Sequence, residues 1–207
     1  MARPPRFTAE MILDAASSAA VERWRDATVD DVATRLGTPS NSIYYRFPSK
    51  HALFGSLWLR AVRRFHVGYL DALAQPDAKA AAMSAAAHIP GFCRTNRSDA
   101  VALTLYRQQD LIGLVDGPLR DDVRHVNDHV LRELAGLASR LFGRSDEGTL
   151  ALVAVACQEA GYGLVRRYLR SDVAMPDWVA DAARASCAAI LDLGQRWDAA
   201  PPVPSSP

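Results

Sequence analysis

Apolar positions recur at helical spacing along nearly the whole chain. Ile12, Ala15, Ala16 and Ala19 form an i, i+3, i+4, i+7 stripe, with Thr8 ahead of them as a candidate N-cap. Val29, Val32, Ala33 and Leu36 repeat the spacing over a shorter segment. From Lys50 a long helix carries Phe54, Leu57, Trp58, Ala61, Val62 and Phe65 on one side. Alternating apolar and polar runs bounded by turn residues are missing, so no strand is expected.

Turn residues divide the remainder. Gln75-Pro76-Asp77 ends the long helix, and the next is expected from Lys79 to about Thr95, with a kink at Pro90-Gly91. Further helices are expected over Ser98–Leu111, Arg120–Phe142 and Asp146–Arg170, with a loop from Gly113 to Pro118 and a stop at Gly143. Met175-Pro176-Asp177 opens a last helix to about Arg196. The sum is an all-α chain of about nine helices with no internal repeat. The Pro- and Ser-rich end, residues 198–207, is expected to be a disordered tail.

The segment from Thr28 to Lys50 holds the most chemical information. Thr28 with Asp31 three residues on is a capping-box-like helix start, and Gly37 after Leu36 supplies a left-handed stop. Thr38 is then expected to cap a second helix with Pro39 at its first position, and that helix closes at Phe47-Pro48. Ser49 caps a third, beginning at Lys50. A helix of barely two turns has little stability alone and must be held by neighbours. Ile43 and Phe47, four residues apart, give it an inward face. Ser40, Asn41, Tyr44 and Tyr45 fall on the opposite face, where hydroxyls, an amide and aromatic tips suit phosphate oxygens and base edges. Two helices joined by a short Gly-containing turn make a helix-turn-helix, whose second helix enters the major groove. Lys50 at a helix start would add its ammonium to free backbone N–H groups, forming a phosphate clamp.

Charge agrees with this placement. Net charge over the chain is +1, but residues 1–66 carry +4 and residues 67–207 carry −3. A basic first third suits a module that faces phosphates. With 207 residues, 49% of them hydrophobic, the chain can bury a substantial core. No apolar run approaches the ~18 residues of a bilayer span, and no apolar stretch follows the basic start, so a cytoplasmic protein is expected. Cys93, Cys157 and Cys187 are far apart in sequence and odd in number, and are read as thiols buried in a reducing compartment.

The run from Val29 to Lys50, with its aromatic pair Tyr44-Tyr45, then Phe47-Pro48-Ser49-Lys50 and Ala52-Leu53-Phe54, resembles the signature of TetR-type regulators. The resemblance covers about residues 8–66. It implies a DNA-binding domain over 1–66 and a helical ligand-binding and dimerisation domain over 67–197. It further implies a homodimer that spaces two recognition helices about 34 Å apart on operator DNA. Tyr44 and Lys50 would contact phosphates; Ser40, Asn41, Ser42 and Tyr45 would approach phosphates or bases; Thr28 completes the contact set. Many members have Ser-Lys-Gly where this chain has Pro39-Ser40-Asn41, and His51 stands where an acidic residue is common, so the operator sequence does not transfer.

In the second domain, Trp58, His88, Phe92, Tyr106, His129, Gln158 and Tyr162 are candidates to line an effector pocket, with Arg107 and Gln108 beside them; the alternative makes the aromatics core and the polar residues surface. Ala151, Val155, Ala160 and Leu164, with Ala182, Ser186, Ala189, Ile190 and Leu193 on the last helix, are candidates for a four-helix dimer interface; the alternative is burial within one chain. His125 and His129 share a helix face but lack a third ligand, so no metal is expected, nor any cofactor. The function read from these residues is a DNA-binding regulator, a repressor released by a small-molecule effector. A carrier or protein-interaction module is the alternative, and an enzyme ranks last because no nucleophile–base set is visible.

Overall fold

The computed structural model describes residues 7–171 and 173–199, and among these it is all-helical with no strand. The α-helices are α1 (Ala9–Arg23), α2 (Val29–Leu36), α3 (Ser40–Tyr44), α4 (Lys50–Leu73), α5 (Ala78–Thr95) and α6 (Arg97–Leu103). They continue with α7 (Gln108–Ile112), α8 (Gly117–His125), α9 (Asp128–Phe142), α10 (Glu147–Ala154), α11 (Ala160–Leu169) and α12 (Trp178–Ala199). A 3-10 turn, Trp24–Asp26, follows α1, and a π-turn, Val155–Glu159, joins α10 to α11.

Most starts and stops are local, and they fall where the sequence places them. Thr8 accepts from the Met11 N–H at 3.2 Å to open α1, and Ser49 accepts from the Ala52 N–H at 2.9 Å at the start of α4. Two expected helices are each broken in two. Ser98–Leu111 divides where the Thr104 hydroxyl donates to the Val101 carbonyl at 2.7 Å and accepts from Trp24 Nε1 at 2.9 Å, while Leu105 turns into the core. Arg120–Phe142 divides because the Gln108 amide donates to the Val123 and Arg124 carbonyls at 2.8 and 3.1 Å and accepts from Asn127 at 2.8 Å. Those bonds satisfy carbonyls that a continuing helix would have used. Pro90 lies inside α5, which runs through it to Thr95. Helix α12 extends to Ala199, two residues into the expected tail; residues 200–207 of that tail lie outside the described residues.

The chain forms two compact units, residues 1–66 with 96–128, and residues 67–95 with 129–207. Residues 96–128, assigned from sequence to the second domain, thus pack with the first unit. Its core joins Ile12, Ala16 and Ala20 of α1 to Val32, Ile43, Leu53 and Leu57, all at most 2% exposed. A second cluster holds Trp58, Leu59, Val62, Leu111, Val115 and Val123. Arg60 reaches Glu10 and Asp14 at 2.8 Å each, and Arg64 meets the buried Asp99 at 3.2 Å.

In the second unit α5 packs against α11, α12 and the π-turn. Ala81, Ala82, Ala85 and Ala86 are fully buried, so little side-chain bulk separates these helices. At Gly161 a β-carbon would lie 2.8 Å from Ile89 Cδ1 and 3.3 Å from the Ala86 carbonyl oxygen, so any side chain there would require Ile89 to move and would crowd the α5 backbone. The buried Tyr69 hydroxyl donates to the Cys157 carbonyl at 3.4 Å, tying α4 to the π-turn. Cys157 and Cys187, distant in sequence, share a hydrogen bond that together with burial holds the Cys157 thiol far above its ordinary range.

Candidate nucleic-acid interface

Helix α2 is set by a complete capping box. Thr28 Oγ1 accepts from the Asp31 N–H at 3.1 Å, and Asp31 Oδ2 accepts from the Thr28 N–H at 2.7 Å. These bonds hold the Asp31 carboxyl below its ordinary value, the Thr28 hydroxyl contributing most and Arg23 adding its charge. Gly37 closes α2 in the left-handed region, at φ 60° and ψ 43°, a conformation open to glycine at little cost.

The expected cap at Thr38 is corrected by the structure. The Thr38 N–H bonds back to the Ala33 carbonyl at 3.1 Å, a six-to-one closure that makes Thr38 part of the end of α2. Pro39 takes the N-cap position of α3, without a side-chain bond, and the helix runs only from Ser40 to Tyr44. One further turn follows, with the Arg46 and Phe47 N–H groups both bonded to the Ile43 carbonyl at 2.9 Å.

Ile43, fully buried, and Phe47, 9% exposed, pin this short helix to the core. Asn41, Ser42, Tyr44 and Tyr45 lie outside it, and the Tyr45 ring is 92% exposed. A large aromatic so exposed has no packing role within the chain. The other candidates already have partners. Thr28 is occupied as a cap, the Ser40 hydroxyl bonds Asp30 of α2, and Lys50 Nζ donates to the Arg25 carbonyl at 2.9 Å. Arg46, exposed next to Tyr45, is absent from the contact set expected from sequence, although its charge within the motif was the signal to include it.

The candidate pocket residues do not form one group. In the first unit Trp58 is part of the core, Gln108 is the cap described above, and the Tyr106 hydroxyl meets His51 Nδ1 at 3.1 Å. In the second, the His88 ring lies 5.9 Å from Phe92 and 6.1 Å from Tyr69, and Gln158 is half-buried on the π-turn. His129 is exposed and pairs with Glu133 at 3.4 Å, and Tyr162 is 50% exposed. Among the described residues no three His, Cys, Asp or Glu side chains cluster as metal ligands. Of the candidate dimer residues, Ala151, Val155, Ala189 and Leu193 are exposed, while Ala160, Leu164, Ala182, Ser186 and Ile190 are half-buried.

Residues 12–57 match the family model for bacterial regulatory proteins of the tetR family. The TetR-family regulator PfmR of Thermus thermophilus superposes with a TM-score of 0.65 at 21% identity, over 87% of this chain and 97% of its own. Residues 12–57 are thus similar to the regulatory segment of the tetR family, and the described chain shares the fold of TetR-family regulators. The same fold appears in KstR2 of Mycobacterium tuberculosis, a ketosteroid transcriptional regulator, at TM-score 0.65, 17% identity, and 90% and 94% coverage. It appears again in the regulator FadR of Bacillus subtilis, solved with stearoyl-CoA, at TM-score 0.56, 17% identity, and 90% and 97% coverage. No curated protein matches by sequence. The tetR-family segment at residues 12–57, set in this fold, supports DNA-binding transcriptional regulation.

Proposed function

We propose that this chain is a TetR-family regulator, a homodimeric repressor that holds a specific operator through α3 and is released by a small-molecule effector. The observation that carries the reading is the exposure of Tyr44 and Tyr45 on a helix fixed by Ile43. A rigid, outward aromatic pair beside Asn41 and Arg46 is suited to phosphates, thymine methyls and base edges. Thr28, Ser40, Ser42 and Lys50 are proposed as the surrounding backbone contacts, with Ser40 and Lys50 giving up their present partners on docking.

The dimer is supported by apolar surface on the second unit. The rod Glu147–Leu169 spans 23 residues, and its most apolar window has mean hydropathy 1.3 with only 33% buried. By length and composition alone it could cross a bilayer, which a search for unbroken apolar runs overlooks because Gln158 and Glu159 interrupt it. Val155 and Leu193, at 37% and 51% exposed, are proposed to meet their copies across a two-fold axis. Effector release is supported by a protein of the same fold, a regulator solved in complex with stearoyl-CoA. An effector that prefers the DNA-incompetent arrangement shifts the population off the operator.

The test compares binding to duplex DNA flanking the gene with binding to a scrambled duplex, at fixed salt. Tighter binding to the flanking DNA is expected, and equal affinity would leave only a carrier or interaction module. Sedimentation of Leu193→Glu reads the second part: dissociation to monomers supports the proposed interface, and an unchanged dimer removes it.

A further inference from the structure

Within the first unit a cleft of 430 Å³ opens between the turn after α1, the start of α4 and the α6–α7 connection. That volume is in the range of small-molecule sites. Its apolar side is made by Phe54 and Leu105, otherwise buried, and by Leu114, 44% exposed. Arg25, Lys50 and Arg107 bring three positive charges to the same cleft, against the single carboxylate of Asp110.

The cations are held in place without being used up. The Arg25 guanidinium lies 4.5 Å above the Trp24 ring centroid and donates to the Thr104 carbonyl at 3.2 Å. Lys50 Nζ spends one donor on the Arg25 carbonyl. Arginine has five N–H donors and an ammonium three, so both keep capacity for an acceptor. Tyr106 also lines the cleft, and burial raises its hydroxyl above the ordinary value, which keeps it protonated and able to donate. The Trp24 backbone is at φ 51°, in the left-handed region that a residue with a β-carbon rarely adopts. Its indole N–H bond to Thr104 holds it there as the wall of the cleft. Such a conformation persists where the surroundings over-determine it, and it concentrates at binding sites.

We propose that this cleft binds a small amphipathic anion, an aromatic or short-chain carboxylate. Its apolar part lies on Phe54, Leu105 and Leu114, and its carboxylate meets Arg25, Lys50 and Arg107. A DNA phosphate is the other anion these cations could take, but it has nothing to place on the apolar side. The cleft shares Lys50 with the proposed operator contacts, but its occupancy is measured with no DNA present, so its failure and the failure of operator binding are distinguishable.

The test is isothermal titration of the full-length protein with 1-naphthoate, salicylate and octanoate, and with inorganic phosphate and the uncharged 1-naphthalenemethanol. At least one carboxylate binds saturably, and Arg107→Glu weakens it by about tenfold or more while Arg107→Lys keeps it. Leu114→Asp weakens it comparably. Asp110→Asn tightens it by roughly two- to threefold, a gain that a merely structural role would not produce. Helix content by circular dichroism is compared across all variants, and the exposed positions of Arg107, Asp110 and Leu114 let the fold survive. Three results would overturn the proposal: no saturable binding of any carboxylate at millimolar concentration, equal binding by Arg107→Glu and the parent, or the alcohol binding as tightly as the naphthoate. Phosphate binding as tightly as the carboxylates would also overturn it and reassign the cations to the DNA backbone.

Discussion

The Lys50 ammonium donates to the Arg25 carbonyl across 2.9 Å, so the first residue of α4 is tied to the turn that closes α1. Lys50 therefore has a bond within the fold to be separated from its two proposed roles, a charge offered to DNA and a charge offered to the cleft. Lys50→Met removes all three and keeps the apolar stem. A single bond of this kind contributes about 1 kcal/mol, so the thermal midpoint falls only slightly. Affinity for any duplex falls as well, and the dependence of log K on log salt becomes shallower by about one unit, as expected for one lost phosphate contact.

Ile43 and Tyr45 sit two residues apart and should separate stability from recognition. Ile43→Ala empties a fully buried position and costs about 2–5 kcal/mol, read by urea denaturation. Tyr45→Ala removes a ring that is 92% exposed, so stability changes by less than about 0.5 kcal/mol while affinity for the operator duplex drops.

The capping box makes the first unit sensitive to acid. Asp31 is held below the ordinary 3.8 by the Thr28 hydroxyl and backbone N–H, so its folded value lies under its unfolded one. Stability from this source is complete above the unfolded value and is lost as pH falls through the folded value. Thermal midpoints followed downward from about pH 5 should fall less steeply for Asp31→Asn than for the parent.

The three thiols should be slow to react while the protein is folded. Burial pushes Cys93 up to about 12, Cys157 is raised by its hydrogen bond to Cys187 and by burial, and Cys187, which that same bond lowers, is shielded by being fully buried. The thiolate is the reacting species, so at pH 8 a disulfide reagent such as Ellman's labels the native chain slowly and all three cysteines in guanidinium. Rapid native labelling would contradict this packing.

What was legible in the sequence was local. Thr8, the Thr28–Asp31 pair, Gly37 and Ser49 act on backbone groups within a few residues, so their spacing alone locates α1, α2 and α4. The inward pair Ile43 and Phe47 followed from helical period. The misplacements came from partners distant in the chain. No local signal shows that Gln108 will cap α8, that Trp24 will bond Thr104 and stop α6, or that Cys157 will meet Cys187. The pocket candidates dispersed for a similar reason: an aromatic at helical spacing reads alike whether it faces a cavity or a core, and Trp58 faces a core.

The π-turn at Val155–Glu159 has a consequence for the rod that contains it. Each α-helical residue advances about 100° around the axis, so a turn closed by i→i+5 bonds shifts the phase of everything after it by roughly one residue. A stripe projected from Ala151 through Val155 at regular spacing therefore arrives on a different flank by Leu164. Deleting one residue from this turn would bring the two halves back into phase and rotate Tyr162 and Leu164 together, a change of facing achieved without substituting either of them.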